Sequence, residues 1–313
     1  MSGHLIVQDP GPLTTVQDLG RPGHLRVGIP GSGPMDRWAF VVANRLVGNP
    51  DGAAALECTL IGPRLEFTDD RVVAVTGAPM DASLAGGAAP AWRSLAVRAG
   101  DVLRLGPARA GVRAYLAVSG GIETPPALGS RSTYVRGALG GVDGRSLKKG
   151  DRLPLGPPTP ARPARLRADA VPDYGGEPRI RAVLGPQDDR FTARGIEAFF
   201  TGPYEMLPQS DRMGARFRGP AIEHVRGHDI VSDGIPLGGV QVVGDGQPIV
   251  LLVDRQSTGG YTKIATVCSF DIGRLAQVKP GQRVRFARVS VGEAHAILRT
   301  ERARLAAAVA RED

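Results

Sequence analysis

The sequence predicts a mainly β protein built from two β-barrel halves, with a few short helices and one helix at the C-terminus. Three observations carry this. Short β-rich runs bounded by Gly, Pro or Asp recur along all 313 residues. Helical periodicity is confined to three stretches. A glycine-polar turn feeding an alternating strand occurs three times, at Gly100-Asp101, Gly150-Asp151 and Gly281-Gln282, and such turns recur where barrel strands reverse.

In chain order, Leu5–Val7, Arg71–Thr76, Ser94–Val97, Val102–Leu105 and Arg113–Val118 read as strands of the first half. Arg179–Leu184, Tyr204–Leu207, Gln241–Val243, Ile249–Val253 and Val284–Phe286 read as strands of the second. The 43 glycines and 26 prolines supply the turns between them. Met35–Leu46 follows Pro34 and places Trp38, Val41, Val42 and Leu46 at helical spacing. Arg190–Phe200 is a short second helix, and Gly292–Arg311 an amphipathic third. The stretch from Pro157 to Glu177 is rich in Pro, Ala and Arg and lacks an apolar period. It gives an N-terminal domain at 1–157, a linker at 158–177 and a C-terminal domain at 178–313.

Apolar residues make up 42% and charged residues 22%, enough for a packed core. No apolar run approaches the roughly 20 residues that cross a bilayer. Met1–Asp9 lacks a basic start followed by a long apolar stretch, so a cytoplasmic protein with no membrane role is expected. Cys58 and Cys268 stand far apart in apolar sequence and read as buried free thiols. The net charge of +8 invites a nucleic-acid reading. Against it, only four of the 39 basic residues are lysines, the arginines are dispersed beside acids, and aromatics are 5%. No nucleic-acid partner is expected.

Polar clusters stand out between glycines and prolines. Gln17-Asp18-Arg21, Ser32-Asp36 and Asn44-Glu57 lie in the segment from Thr14 to Glu57. Gly and Pro hold such a loop on a fixed path; it is either a binding surface or a braced turn around an Asp18–Arg21 pair. Ser130-Arg131 and the Gly140-Gly141 turn form another cluster. In the second half come Gln187, Asp211-Arg212, Ser232-Asp233-Gly234, Gln241, and the run from Asp254 to Lys263. That run follows an apolar strand, where small-molecule sites are often built. Gly259-Gly260 lets backbone approach a ligand, and Tyr261 and Lys263 point the same way if the chain is extended there. There is no Walker-type phosphate loop, so no nucleotide motif, and no G-x-S-x-G elbow. His224 and His228 flank Gly227 and do not suggest a metal site.

These clusters, in this order, resemble the allophanate hydrolase subunit 2 family, also called the biotin-dependent carboxyltransferase-like family. The resemblance runs from about Leu5 to Ala294. It rests on Thr15-Val16-Gln17-Asp18-Leu19-Gly20-Arg21, Gly33-Pro34-Met35-Asp36, Arg113–Gly121, Gly129–Tyr134, Gly185-Pro186-Gln187, Ser210–Gly214 and Asp254–Tyr261. Ser257 stands where the family usually has threonine, which keeps the hydroxyl.

The resemblance implies two cyclophilin-like β-barrel domains. It implies one component of a three-part, ATP-dependent 5-oxoprolinase that cleaves the cyclic amide 5-oxo-L-proline to L-glutamate. This chain would be the C-type component, inactive without its A-type and B-type partner subunits. ATP is then used by the complex. Two alternatives stay open: a biotin-dependent carboxyltransferase acting on urea-like or amide substrates, and a regulatory partner-binding protein of the kinase-inhibitor antagonist type. Opening a lactam needs donors around developing oxyanions and a carboxylate to steer water or the ring N–H. The expected catalytic residues are Asp18, Arg21 and Asp36 in the first half, with Asp254, Arg255 and Lys263 in the second. The expected substrate-binding residues are Gln17, Ser32, Asn44, Glu57, Ser130, Arg131, Gln187, Asp211, Arg212, Gln241, Gln256, Thr258, Gly259, Gly260 and Tyr261. Carboxyl transfer would use nearly the same residue types.

Overall fold

The computed structural model describes residues 3–160 and 163–311. The chain forms two compact units. One comprises Met1–Arg21, Ser32–Tyr174 and Ala303–Asp313; the other comprises Pro22–Gly31 and Gly175–Arg302.

The first unit holds two antiparallel sheets. One has six strands, in the order Arg152–Pro154, His4–Asp9, Arg64–Phe67, Val102–Ala108, Met80–Leu84 and Gly87–Ala88. The other has five, in the order Leu13–Gln17, Ala55–Thr59, Arg113–Val118, Arg71–Gly77 and Ser94–Val97. Apolar residues of both sheets share one core, among them Leu5, Val7, Leu65, Phe67 and Leu103 from the first and Val16, Leu56, Val73, Leu116 and Val118 from the second. The Arg113–Val118 strand is buried at every position because both of its faces are covered. Ala114, Leu116 and Val118 face the shared core, while Tyr115 and Ala117 face helix Arg37–Leu46. That helix buries Phe40, Val42, Ala43 and Leu46 against this second face.

The second unit is a closed seven-stranded barrel. Its order is Arg179–Leu184, Lys263–Val267, Gly239–Val242, Pro248–Leu251, Gly214–Arg218, Pro203–Met206 and Arg283–Arg288. A parallel pairing of Arg283–Arg288 with Arg179–Leu184 closes the ring. Phe199, from helix Ala193–Thr201, stacks on Phe286 at 4.4 Å between ring centroids. Outside the barrel, Asp229–Gly234 and Thr258–Tyr261 form a two-stranded ribbon.

The mainly β class and the C-terminal helix are as the sequence predicts. Gly100, Gly150 and Gly281 each take positive φ, at 87°, 91° and 84°, just ahead of a strand. Glycine is the residue that adopts this geometry without strain. Some details differ, among them the second helix, which runs Ala193–Thr201 with Thr192 as its N-cap. The Met35–Leu46 helix starts at Arg37, because Asp36 is its N-cap. The final helix is Val291–Ala306, and Val309–Arg311 is instead a strand paired with Ala164–Leu166. No residue of that helix is fully buried; its Ala294, Ile297, Leu298 and Leu305 are only half-covered. Within 158–177, Ala164 and Leu166 alternate with exposed Arg165, which gives that pairing its buried face.

Candidate functional site

In the first unit, Gln17 ends a strand rather than lying in a loop, and it is fully buried. Its amide donates to Thr15 Oγ1 at 3.0 Å and to the Thr133 carbonyl at 3.2 Å. Asp18 follows. Its Oδ1 accepts from the Gly20 N–H at 2.8 Å, from Ser132 Oγ at 2.7 Å and from Ser130 Oγ. Its Oδ2 accepts from the Arg131 N–H at 2.6 Å. The carboxylate thus ties the Ser130–Ser132 turn to the opening loop. Arg21 is 1% exposed; its Nη2 donates to the Ser132 carbonyl and its Nε to that of Ala127 at 3.4 Å. Gly140 lies against both groups: a Cβ there would come within 2.2 Å of the Ser132 carbonyl oxygen. Arg131 Nη2 donates to Glu123. Asp18, Arg21, Gln17, Ser130 and Arg131 are therefore one hydrogen-bonded group.

Ser32, Asp36, Asn44 and Glu57 serve the start and end of helix Arg37–Leu46 or its surroundings. Glu57 Oε2 accepts from the Met35 N–H at 2.9 Å and from the Tyr115 hydroxyl at 2.8 Å. The Tyr115 oxygen accepts from the Asp36 N–H at 2.7 Å. Asp36 Oδ1 accepts from the Ala39 N–H at 3.1 Å, capping the helix, and Oδ2 accepts from the Tyr174 hydroxyl at 3.0 Å. Burial first, then the Glu57 and Asp36 charges, pushes the Tyr115 hydroxyl well above its ordinary range. Asn44 Nδ2 donates to the Ala53 carbonyl at 2.9 Å. Ser32 is buried with φ +53° and a hydroxyl that lacks a hydrogen bond. Tyr115 is not among the residues expected from sequence. The signal for it is its alternation with Ala114 and Leu116, which puts a phenol on the opposite face from the apolar core.

In the second unit, Arg212 Nε donates to Asp254 Oδ2 at 2.8 Å, and both are buried. Asp211 Oδ1 accepts from the Met213 and Gly214 N–H groups at 2.8 and 3.1 Å, which fixes that turn. Arg255 Nε donates to the Ile235 carbonyl at 2.9 Å, and burial lowers the pKa of its guanidinium. Gln256 and Thr258 are exposed.

Gln187, Gln241 and Lys263 come together beside Gly259. The Lys263 N–H donates to Gln187 Oε1 at 2.9 Å. Gln187 Nε2 donates to Asp233 Oδ2 at 3.3 Å, and Lys263 Nζ lies 3.3 Å from the same oxygen. Gln241 is the cross-strand register partner of Lys263. Lys263 and Tyr261 do not share surroundings. The chain leaves the outer ribbon at Tyr261, which is 39% exposed near the His228 ring, whereas Lys263 lies buried on a barrel strand. Gly260 stays half-buried on the ribbon. His224 Nε2 lies 3.1 Å from Thr262 Oγ1, and burial, then His228, lowers its pKa. Among the described residues, no three His, Cys, Asp or Glu side chains converge to hold a metal.

Residues 27–288 match the family described as carboxyltransferase domain, subdomain A and B. The chain is 42% identical to the C subunit of 5-oxoprolinase from Escherichia coli (strain K12), over 91% of each chain. It is 38% identical to the corresponding 5-oxoprolinase C subunit of Haemophilus influenzae, over 90% of this chain and 89% of that one. Among solved structures, the K. lactis urea amidolyase superposes with a TM-score of 0.93 at 33% identity, covering 96% of this chain but 20% of that one. The family match spans most of the sequence and the relatives exceed 30% identity across it: the chain belongs to the carboxyltransferase domain, subdomain A and B, family.

Proposed function

We propose that this chain is the C-type component of an ATP-dependent 5-oxoprolinase, a hydrolase that opens 5-oxo-L-proline to L-glutamate together with A-type and B-type partner subunits. The observation that carries this is the 42% identity to the 5-oxoprolinase C subunit over 91% of both chains. A second reading, carboxyl transfer to a urea-like substrate through biotin, is favoured by the TM-score of 0.93 with urea amidolyase.

The residues of this chain support binding and positioning. A lactam resists water until its carbonyl is activated, so the site must hold the ring and supply donors to oxygen. Lys263, Gln241 and Gln187 bring an ammonium and two amides to one place beside the Gly259 backbone. Within the first unit Asp18 holds the Ser130–Ser132 turn and Asp36 a helix start, and within the second Asp254 holds Arg212. ATP belongs to the assembly in this reading. No residue here is assigned to biotin.

The test is reconstitution. The chain, mixed with its two partner proteins, ATP and 5-oxo-L-proline, is expected to release L-glutamate. A soluble, associated assembly that releases none rejects the proposal.

A further inference from the structure

Lysine is rare in this chain, and Lys263 is 1% exposed. A buried ammonium needs a partner that returns the lost hydration. Here the anion within reach is Asp233 Oδ2 at 3.3 Å, and Nζ makes no aligned hydrogen bond. Asp233 is itself 56% exposed. The adjacent Gln241 is 3% exposed, and its Nε2 has no acceptor among the described residues either. Register pairing places Gln241 and Lys263 side by side on one face of the barrel wall. Gly259 lies against the same amide: a Cβ there would approach Gln241 Nε2 to 2.6 Å.

Two adjacent, buried, unsatisfied donors are unusual, since native proteins pair nearly all such groups. The group that satisfies both is acceptor-only and carries at least two oxygens. Asp233 has that chemistry but meets only the ammonium, and poorly. It stands on the Asp229–Gly234 strand, which is exposed along nearly its whole length and, among the described residues, pairs with Thr258–Tyr261 alone. Its remaining partners are the Gly234 N–H at 2.7 Å and Gln187 Nε2 at 3.3 Å. Moving it aside therefore breaks few contacts.

We propose that Lys263 Nζ and Gln241 Nε2 form an oxyanion-binding pair, and that Asp233 is a resident anion that a ligand carboxylate displaces. The inference rests on the proposed function only for its choice of ligand, the carboxylate of 5-oxoproline; an inorganic oxyanion such as phosphate shares the chemistry.

With four lysines in the chain, Cε-labelled lysine gives a readable carbon spectrum of the full protein. The Lys263 signal is identified by its loss in Lys263→Met. L-5-oxoproline is expected to shift it saturably, and 2-pyrrolidone, the same ring without the carboxylate, to leave it in place. Asp233→Asn removes the competing anion and should tighten binding about two- to fivefold, the worth of an exposed ion pair. Gln241→Leu keeps the ammonium and should weaken binding about tenfold, the worth of a hydrogen bond to a charged group. A shift with phosphate and none with 5-oxoproline supports the pair with an inorganic ligand. A Lys263 signal that neither anion moves in the wild type and in Asp233→Asn overturns the proposal, as does an equal response to 2-pyrrolidone. Glutamate release by the assembly is scored separately. Release with a silent Lys263 sinks this inference alone, whereas a responsive Lys263 without release sinks the activity alone.

Discussion

Tyr115 shows how much a single side chain can hold. Its hydroxyl donates to Glu57 and accepts from the Asp36 N–H, joining two strands to the start of a helix. Tyr115→Phe leaves that buried N–H without its acceptor and should cost about 1–3 kcal/mol in urea unfolding. Asp151 makes a pH prediction. Its two oxygens accept from Arg145 at 2.7 and 2.9 Å, and Arg145 first of all holds the carboxyl below its usual range. A depressed folded pKa gives stability that is present above the ordinary Asp value and lost as pH falls through the folded one. Stability should therefore decline on acidification below about pH 4, and Asp151→Asn should flatten part of that decline in acid titrations followed by circular dichroism. Gln187, Gln241 and Lys263 were legible in the sequence as polar residues in apolar or glycine-rich runs. That Gln187 and Lys263 meet at Asp233, with Gln241 beside Lys263, was not legible, because the four come from four separate stretches of chain.

Among the elements, helix Arg37–Leu46 depends on its cap. Asp36→Ala removes the acceptor for Ala39 N–H and for the Tyr174 hydroxyl, so a loss of about 1 kcal/mol or somewhat more is expected. Asp36→Asn keeps a capping oxygen and should lose less; equal losses would show that the cap is not what matters. The last helix is the opposite case. None of its residues is fully buried, and an exposed change such as Arg299→Ala should shift stability by less than about 0.5 kcal/mol. The strands with continuous apolar character, such as Arg113–Val118, were legible from the sequence. Leu13–Gln17 was not, because its Thr-Thr-Val-Gln reads as polar until burial on both sides is known. Val309–Arg311 was also hidden, since only its partner Ala164–Leu166 gives it a reason to be a strand.

For the whole molecule, the proposed function makes activity a property of an assembly. The isolated chain should show little 5-oxoproline turnover beside the reconstituted complex, as followed by glutamate release. Sequence alone determined the mainly β class, the turn-and-strand grammar, the family resemblance and the positions of the polar clusters, because glycine turns, alternation and local motifs act over a few residues. It also suggested an Asp18–Arg21 brace. Tertiary structure decided what each polar side chain does. Asp18 binds the Ser130–Ser132 turn through a contact more than a hundred residues away in sequence, and Asp254 holds Arg212. Lys263 and Gln241, by contrast, keep unused donors. Whether a buried polar group is satisfied depends on atoms that chain order does not place nearby, so only the folded chain separates a residue that braces from one that is free to bind.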